Sequence, residues 1–147
     1  MRIITGSARG INLKTLEGED TRPTPERVKE AVFSSIQFDI AGKTVLDLFA
    51  GSGQMGLEAL SRGAEKATLV DASRDAANII TENAKKTKLY PKTNVLCMDW
   101  RAYIRAAGGR SSFDYIYLDP PYAMRLLPEI LAALYDADMI NTGGMVI

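Results

Sequence analysis

The chain has 147 residues, 46% of them hydrophobic, with 18 Lys plus Arg against 18 Asp plus Glu. That fits one domain with its own core and no disulfide framework, and the balanced charge confines any nucleic-acid surface to a local patch. A single cysteine and no histidine exclude the usual zinc sites and histidine-based triads, so no metal centre is expected.

No apolar stretch approaches the roughly 20 residues that span a bilayer, and the opening MRIITGSARG lacks the apolar core of a secretory signal, so a cytoplasmic protein without membrane contact is expected. Along the chain, Arg2 to Thr5 and Ile11 to Thr15 are short β-like runs around GSARG, a small hairpin, followed by the polar loop EGEDTRPT. Thr24 reads as a helix N-cap with Pro25 at the first helical position, and Val28, Ala31, Val32, Ser35 and Ile36 recur at helical spacing on one core face.

From Lys43 the pattern alternates: TVLDLF, a helix from about Gln54 to Arg62, ATLVD, a helix from about Arg74 to Lys86, NVLCM, a short helix after Trp100, and YIYLD. Continuous apolar strands between helices imply a parallel sheet covered on both faces. Cys97, inside NVLCM, reads as a buried small hydrophobe. A helix from about Arg125 to Tyr135 then leads into GGMVI, where the chain stops as another strand begins. A truncated chain is expected, because that strand would otherwise be an uncovered edge. The fold class is α/β, a doubly wound and mostly parallel Rossmann-like sheet in residues 42–147, preceded by a hairpin and helix extension in residues 1–41.

In such sheets ligands sit beyond the carboxyl ends of the strands, where the strand order reverses. Gly51, Gly53 and Gly56 spell GxGxxG after the first main strand, and Asp71 closes the next one 71 − 51 = 20 residues later, the spacing of a carboxylate that grips ribose hydroxyls. The glycines allow a tight turn and close backbone approach, and the following helix exposes free amides. Asp47, just before the loop, decides between cofactor classes. It repels a pyrophosphate resting on the helix N-terminus but suits a cationic amino group and a sulfonium. S-adenosylmethionine has both, so it is the expected cofactor, lined by Asp47, Phe49, Gly51, Ser52, Gly53, Asp71 and Ala72. Asp99 is placed to accept from an adenine amino group and Trp100 to pack on the ring, with a helix cap and a core tryptophan as the competing roles.

The acceptor side is DPPY, Asp119, Pro120, Pro121 and Tyr122. Consecutive prolines lack N–H groups and leave carbonyls free to face a ligand, while the tyrosine ring offers a base a stacking surface. An exocyclic base amine is a poor nucleophile because its lone pair is delocalised into the ring. Hydrogen bonds to the Asp119 side chain and the Pro120 carbonyl favour its pyramidal, reactive form, and Tyr122 holds the base. Positioning then carries most of the catalysis and no histidine base is needed.

The chain resembles the RsmD-type methyltransferases, which modify guanine N2 in 16S ribosomal RNA. The likeness covers nearly the whole length through MRIITGSARGINL, RPTPERVKEAVFSSI, DLFAGSGQMGLEALSRGA and DPPY in that order. It implies a class I methyltransferase fold, S-adenosylmethionine as donor, and 16S ribosomal RNA or the small ribosomal subunit as acceptor. Asp47, Gly51, Gly53, Asp71 and Asp99 would line the cofactor and Asp119 to Tyr122 the guanine. Departures are Gln54 and Met55 after the glycines and Ser34 where asparagine is common.

For RNA contact Arg9 and Arg22 lead, with Arg2, Lys14 and Arg27 behind them, since basic extensions commonly grip phosphates. Adenine N6 methylation of DNA with base flipping is the enzyme alternative; an RNA-binding module that has lost catalysis and a nucleotide-dependent oxidoreductase are the other two.

Overall fold

The computed structural model describes residues 1–16, 25–120 and 123–147. Five apolar runs become strands: β1 (Thr44–Asp47), β2 (Lys66–Asp71), β3 (Thr93–Cys97), β4 (Phe113–Tyr117) and β5 (Ile140–Val146). They form one sheet in the order β3-β2-β1-β4-β5, with every pairing parallel. Successive strands move outward from β1 to β3 and the chain then returns to place β4 on the other side of β1, so the order reverses between β1 and β4. A crevice therefore opens at the carboxyl ends of those two strands.

Among the described residues five α-helices cover the sheet: α1 (Glu26–Ile36), α2 (Gln54–Ser61), α3 (Arg74–Lys86), α4 (Trp100–Ala107) and α5 (Ala123–Asp136). The sequence starts and stops them locally. Ser73 caps α3 by accepting from the Ala76 amide, Asp75 lies in its first turn and Lys85 and Lys86 in its last, each sign suited to the helix dipole. Asp99 caps α4 in the same way, accepting from the Arg101 amide. None of the helices among the described residues is long and apolar enough to cross a membrane.

Two apolar clusters fill the two sides. One joins α2, α3 and the end of α1 to Ile3, Ala8 and Leu13 of the N-terminal segment; the other joins Trp100, Tyr103 and Ile104 of α4 to Ile130 and Leu134 of α5 over Leu46, Val70 and Ile116. The N-terminal hairpin is real but narrow, a single antiparallel bridge between Arg2 and Asn12. Its turn is fitted to α2. Gly6 has φ +96°, and a Cβ there would fall onto the Ser61 backbone carbonyl, which accepts from the Ser7 amide at 2.8 Å. The Ser61 hydroxyl accepts from the Ala8 amide at 2.9 Å and donates to the Thr5 carbonyl at 2.6 Å.

Beneath that turn lies a buried ionic group. Lys29 of α1 and Glu58 of α2 are 1% and 0% exposed and pair at 3.1 Å; Arg62 meets the other carboxylate oxygen at 2.9 Å. Glu58 also accepts from the amides of Ile4 and Thr5, and Lys29 donates to the Arg2 carbonyl. Burial pulls the Lys29 ammonium below its usual range against the opposing pull of Glu58. Burial pushes the Glu58 carboxyl upward, but the Ile4 amide, Arg62 and Lys29 together hold it below its usual value. Every charge here has a partner, as burial requires.

Four expectations need correction. The first helix begins at Glu26 with Pro25 as its N-cap, in extended conformation at φ −56° and ψ 140°; Thr24 lies outside the described residues. Its inward face is Lys29, Phe33 and Ile36, while Val28, Ala31 and Ser35 are exposed: the pairing with Glu58 lets a lysine occupy a core position that apolar periodicity could not identify. Cys97 is half-buried, because β3 is an edge strand, and its thiol lies 3.6 Å from the Ala72 carbonyl. The last strand starts at Ile140, three residues before GGMVI.

Candidate active site

The glycine loop is held open by backbone shape. Gly51 and Gly53 sit at φ +59° and +83°, values that favour glycine, and they lead straight into α2. Gly56 plays a packing role, since a Cβ there would collide with the Leu69 side chain of β2; its absence lets α2 lie close on the sheet. The N-terminus of α2 thus begins directly after the glycine loop, at the strand tips.

Asp47 ends β1 and is 1% exposed. It receives hydrogen bonds from the Gly56 and Phe49 amides, yet its Oδ1 has no partner. Burial raises its pKa to about 7, with the negative charge of Asp71 and, more weakly, Asp119 adding to the rise. A buried carboxylate oxygen with no donor, beside two more acids, is a site short of positive charge. The cationic amino group of S-adenosylmethionine fits that deficit, and an additional anion does not.

Asp71 ends β2 half-buried and bridges two elements: Oδ2 accepts from the Gly51 amide at 2.9 Å and Oδ1 from the Ser73 amide at 2.9 Å. It therefore ties the glycine loop to the start of α3. Phe49 and Ser52 are half-buried and Ala72 is exposed around the same rim. Asp99 is exposed at the tip of β3, while Trp100 is 6% exposed and packed in the second apolar cluster, with the Arg101 guanidinium 4.5 Å from its ring centroid. The tryptophan thus serves the core, and the cap role of Asp99 leaves its carboxylate at the surface.

On the acceptor side, Tyr117 of β4 pairs with Asp47 of β1, so the residues after β4 emerge next to the glycine loop. Asp119 is exposed and Pro120 buried; Pro121 and Tyr122 lie outside the described residues. The two motif carboxylates, Asp47 and Asp119, share one crevice closely enough for the charge of one to act on the other.

Over residues 1–147 the chain matches the family described as Conserved hypothetical protein 95. The chain belongs to this family, the RsmD family. It is 32% identical over 147 residues to ribosomal RNA small subunit methyltransferase D of Haemophilus influenzae, covering 99% of this chain and 76% of that protein. The protein of the same name from Escherichia coli K12 is 35% identical over 136 residues, 92% of this chain and 67% of that one. The solved structure of yhhF from Escherichia coli superposes with a TM-score of 0.88 at 31% identity, over 99% of this chain and 78% of that chain.

Among the basic residues singled out from the sequence of this RsmD-family chain, Arg9 is exposed on the N-terminal turn, and Arg22 lies outside the described residues. Arg2 and Lys14 are engaged on the surface by Glu26 at 2.9 Å and Glu82 at 3.4 Å, and Arg27 is exposed on α1. The sequence reading missed Lys29, Glu58, Ser61 and Asn83, all buried polar residues that fasten the N-terminal segment beside the glycine loop. Their signal is a polar residue in phase with an apolar helical face, Lys29 with Phe33 and Ile36, and Asn83 with Ala76 and Ile80.

Proposed function

We propose that the chain methylates the exocyclic N2 amine of a guanine in small-subunit ribosomal RNA, with S-adenosylmethionine as the donor. The observation that carries this reading is the shared crevice at the β1/β4 reversal, where a buried carboxylate with one oxygen lacking a donor lies near an exposed carboxylate at a proline-flanked strand tip. The names of the Haemophilus influenzae and Escherichia coli relatives support the RNA class.

Bound S-adenosylmethionine supplies an electrophilic methyl on a sulfonium centre. Asp47 and the α2 amides hold its amino-acid end, Gly51, Ser52 and Gly53 give it backbone contact, and Asp71 takes the ribose. Asp99 accepts from the adenine amine, with Phe49, Ala72 and the core ring of Trp100 shaping the wall. Asp119 and the Pro120 carbonyl accept from the guanine N2 amine, keep its lone pair available and stand where its shed proton can go; Pro121 and Tyr122 complete the grip on the base. The rate comes from orientation, worth many orders of magnitude when two reactants are held in attack geometry. Arg9 and Arg22 contact RNA phosphates.

The deciding experiment is transfer of labelled methyl from S-adenosylmethionine to small subunits lacking the modification, with duplex DNA in parallel and the product nucleoside identified. N2-methylguanosine in RNA is the expected product. N6-methyladenine in DNA overturns the reading, and cofactor binding with no transfer to either substrate points to a binding module.

A further inference from the structure

Asn83 is 1% exposed on α3, and its side-chain amide bonds only groups far from it in sequence. Its Oδ1 accepts from the Lys14 amide at 2.8 Å, and its Nδ2 donates to the Lys14 carbonyl at 2.8 Å and to the Ser52 carbonyl at 3.0 Å. The side-chain amide thus pairs with both backbone groups of Lys14, as a neighbouring strand would, and spends its second N–H on the middle residue of the glycine loop. That use is complete: one acceptor and two donors, each satisfied.

Ser52 needs such a restraint. It lies between two glycines at positive φ, so the chain on either side has little conformational preference of its own. The Asn83 bond fixes the Ser52 carbonyl, and with it the peptide planes that present the loop to a ligand. Ser52 also meets the N-terminal segment through its hydroxyl, 3.7 Å from the Met1 sulfur. The glycine loop is therefore braced from α3 and from the first residues of the chain at once.

We propose that Asn83 is a positioning residue for methyl transfer, registering the glycine loop against the N-terminal segment so that cofactor grip depends on a side chain that does not touch the cofactor. This rests on the methyltransferase reading for the identity of the ligand. Replacing the amide by a carboxylate keeps the shape and the bond from the Lys14 amide, but sets an anionic oxygen against the carbonyls of Lys14 and Ser52. Those carbonyls and the burial raise that carboxyl's pKa, and its protonated form regains one donor.

The test is calorimetric titration of S-adenosylmethionine and S-adenosylhomocysteine into the full chain from pH 6 to 8.5, with thermal unfolding in parallel. Asn83→Leu is expected to weaken both ligands about tenfold, the scale of one lost buried hydrogen bond. Asn83→Asp is expected to bind worse than the unaltered chain at pH 8.5 and to recover as pH falls. The unaltered chain runs the other way, because protonating Asp47 removes the charge that meets the ammonium. A merely structural role lowers the unfolding temperature without reversing the pH profile. If Asn83→Leu fails to fold, the isosteric Asn83→Asp profile decides alone. Affinity of Asn83→Asp that tracks the unaltered chain at every pH overturns this inference only, whereas no binding of either ligand by the unaltered chain overturns the methyltransferase reading as well.

Discussion

The two faces of the sheet solve the problem of charge in opposite ways. On the face of α1, α2, α3 and the N-terminal segment, Lys29 and Glu58 are sealed from water and answered by backbone groups of residues 2, 4 and 5. On the face of α4 and α5, the bridge between helices is Arg101 to Glu129 at 3.0 Å, with both side chains about half exposed. The first face holds α2 and so the glycine loop, the proposed cofactor site; the second leads from Asp119 into α5. A small cofactor has to be met by a loop already in shape, since preorganised contacts cost nothing at the moment of binding. A macromolecular acceptor brings its own walls, and Asp119, the carboxylate proposed to meet it, stands in solvent.

The most forceful way to break this contrast is Lys29→Met. It leaves Glu58 buried with Arg62 and two amides but without its closest ammonium, and removing one partner of a buried pair costs roughly 3–5 kcal/mol. Denaturant unfolding should show that loss, and the glycine loop should lose cofactor affinity with it because α2 carries both. A loss below about 1 kcal/mol would mean that the buried group is not what fixes this face.

Next in size is Asp119→Ala, which addresses the open side. With an exposed carboxylate removed, stability should move by less than about 0.5 kcal/mol and cofactor affinity by little. Single-turnover methyl transfer should fall by about 10²–10³, the range for losing one group aimed at the reacting centre. Equal loss of cofactor binding would place Asp119 on the donor side instead.

Asp47→Asn sharpens the contrast further. The folded carboxyl titrates at about 7, well above an unfolded aspartate near 3.9. The folded state therefore takes up a proton that the unfolded state does not, and the cofactor-free chain should grow more stable as pH falls from about 8 toward 5. Cofactor affinity should follow the opposite slope, rising through pH 7 as the carboxylate forms. Asp47→Asn should flatten both profiles and weaken S-adenosylmethionine about tenfold or more, on the scale of a charge-assisted hydrogen bond. Stability and affinity that rise together with pH in the unaltered chain would refute the assignment.

The same contrast explains what the sequence made legible. The alternation of β and helical runs, the glycine loop and Asp47 and Asp71 at strand tips are local signals, and the sheet sets them where such signals imply. Residues whose role comes from a distant partner carried only their phase on an apolar helical face. Lys29 is a surface residue by type until Glu58 is brought to it, and Asn83 is one more polar residue on α3 until the chain returns Lys14 and Ser52 to its two ends. Trp100 had two sequence roles, packing on an adenine or serving the core, and its ring is packed in the second core.

The smallest expected effect comes from breaking the pair of Arg101 and Glu129. Its pair with Glu129 spans α4 and α5 at the surface, where solvent screens the attraction and two long side chains must be ordered to form it. Exposed pairs contribute about 0.2–1 kcal/mol, and the stacking of Arg101 on Trp100 adds a further contact of similar weight. Arg101→Ala should therefore lower stability by no more than about 2 kcal/mol in low salt, and Glu129→Ala by no more than about 1 kcal/mol, because it leaves the stacking in place. Raising the salt to 1 M should shrink the Glu129→Ala effect toward zero while leaving the Lys29→Met effect almost unchanged, since ions reach the first pair and not the second. Salt-insensitive losses of equal size at both pairs would erase the difference between the faces.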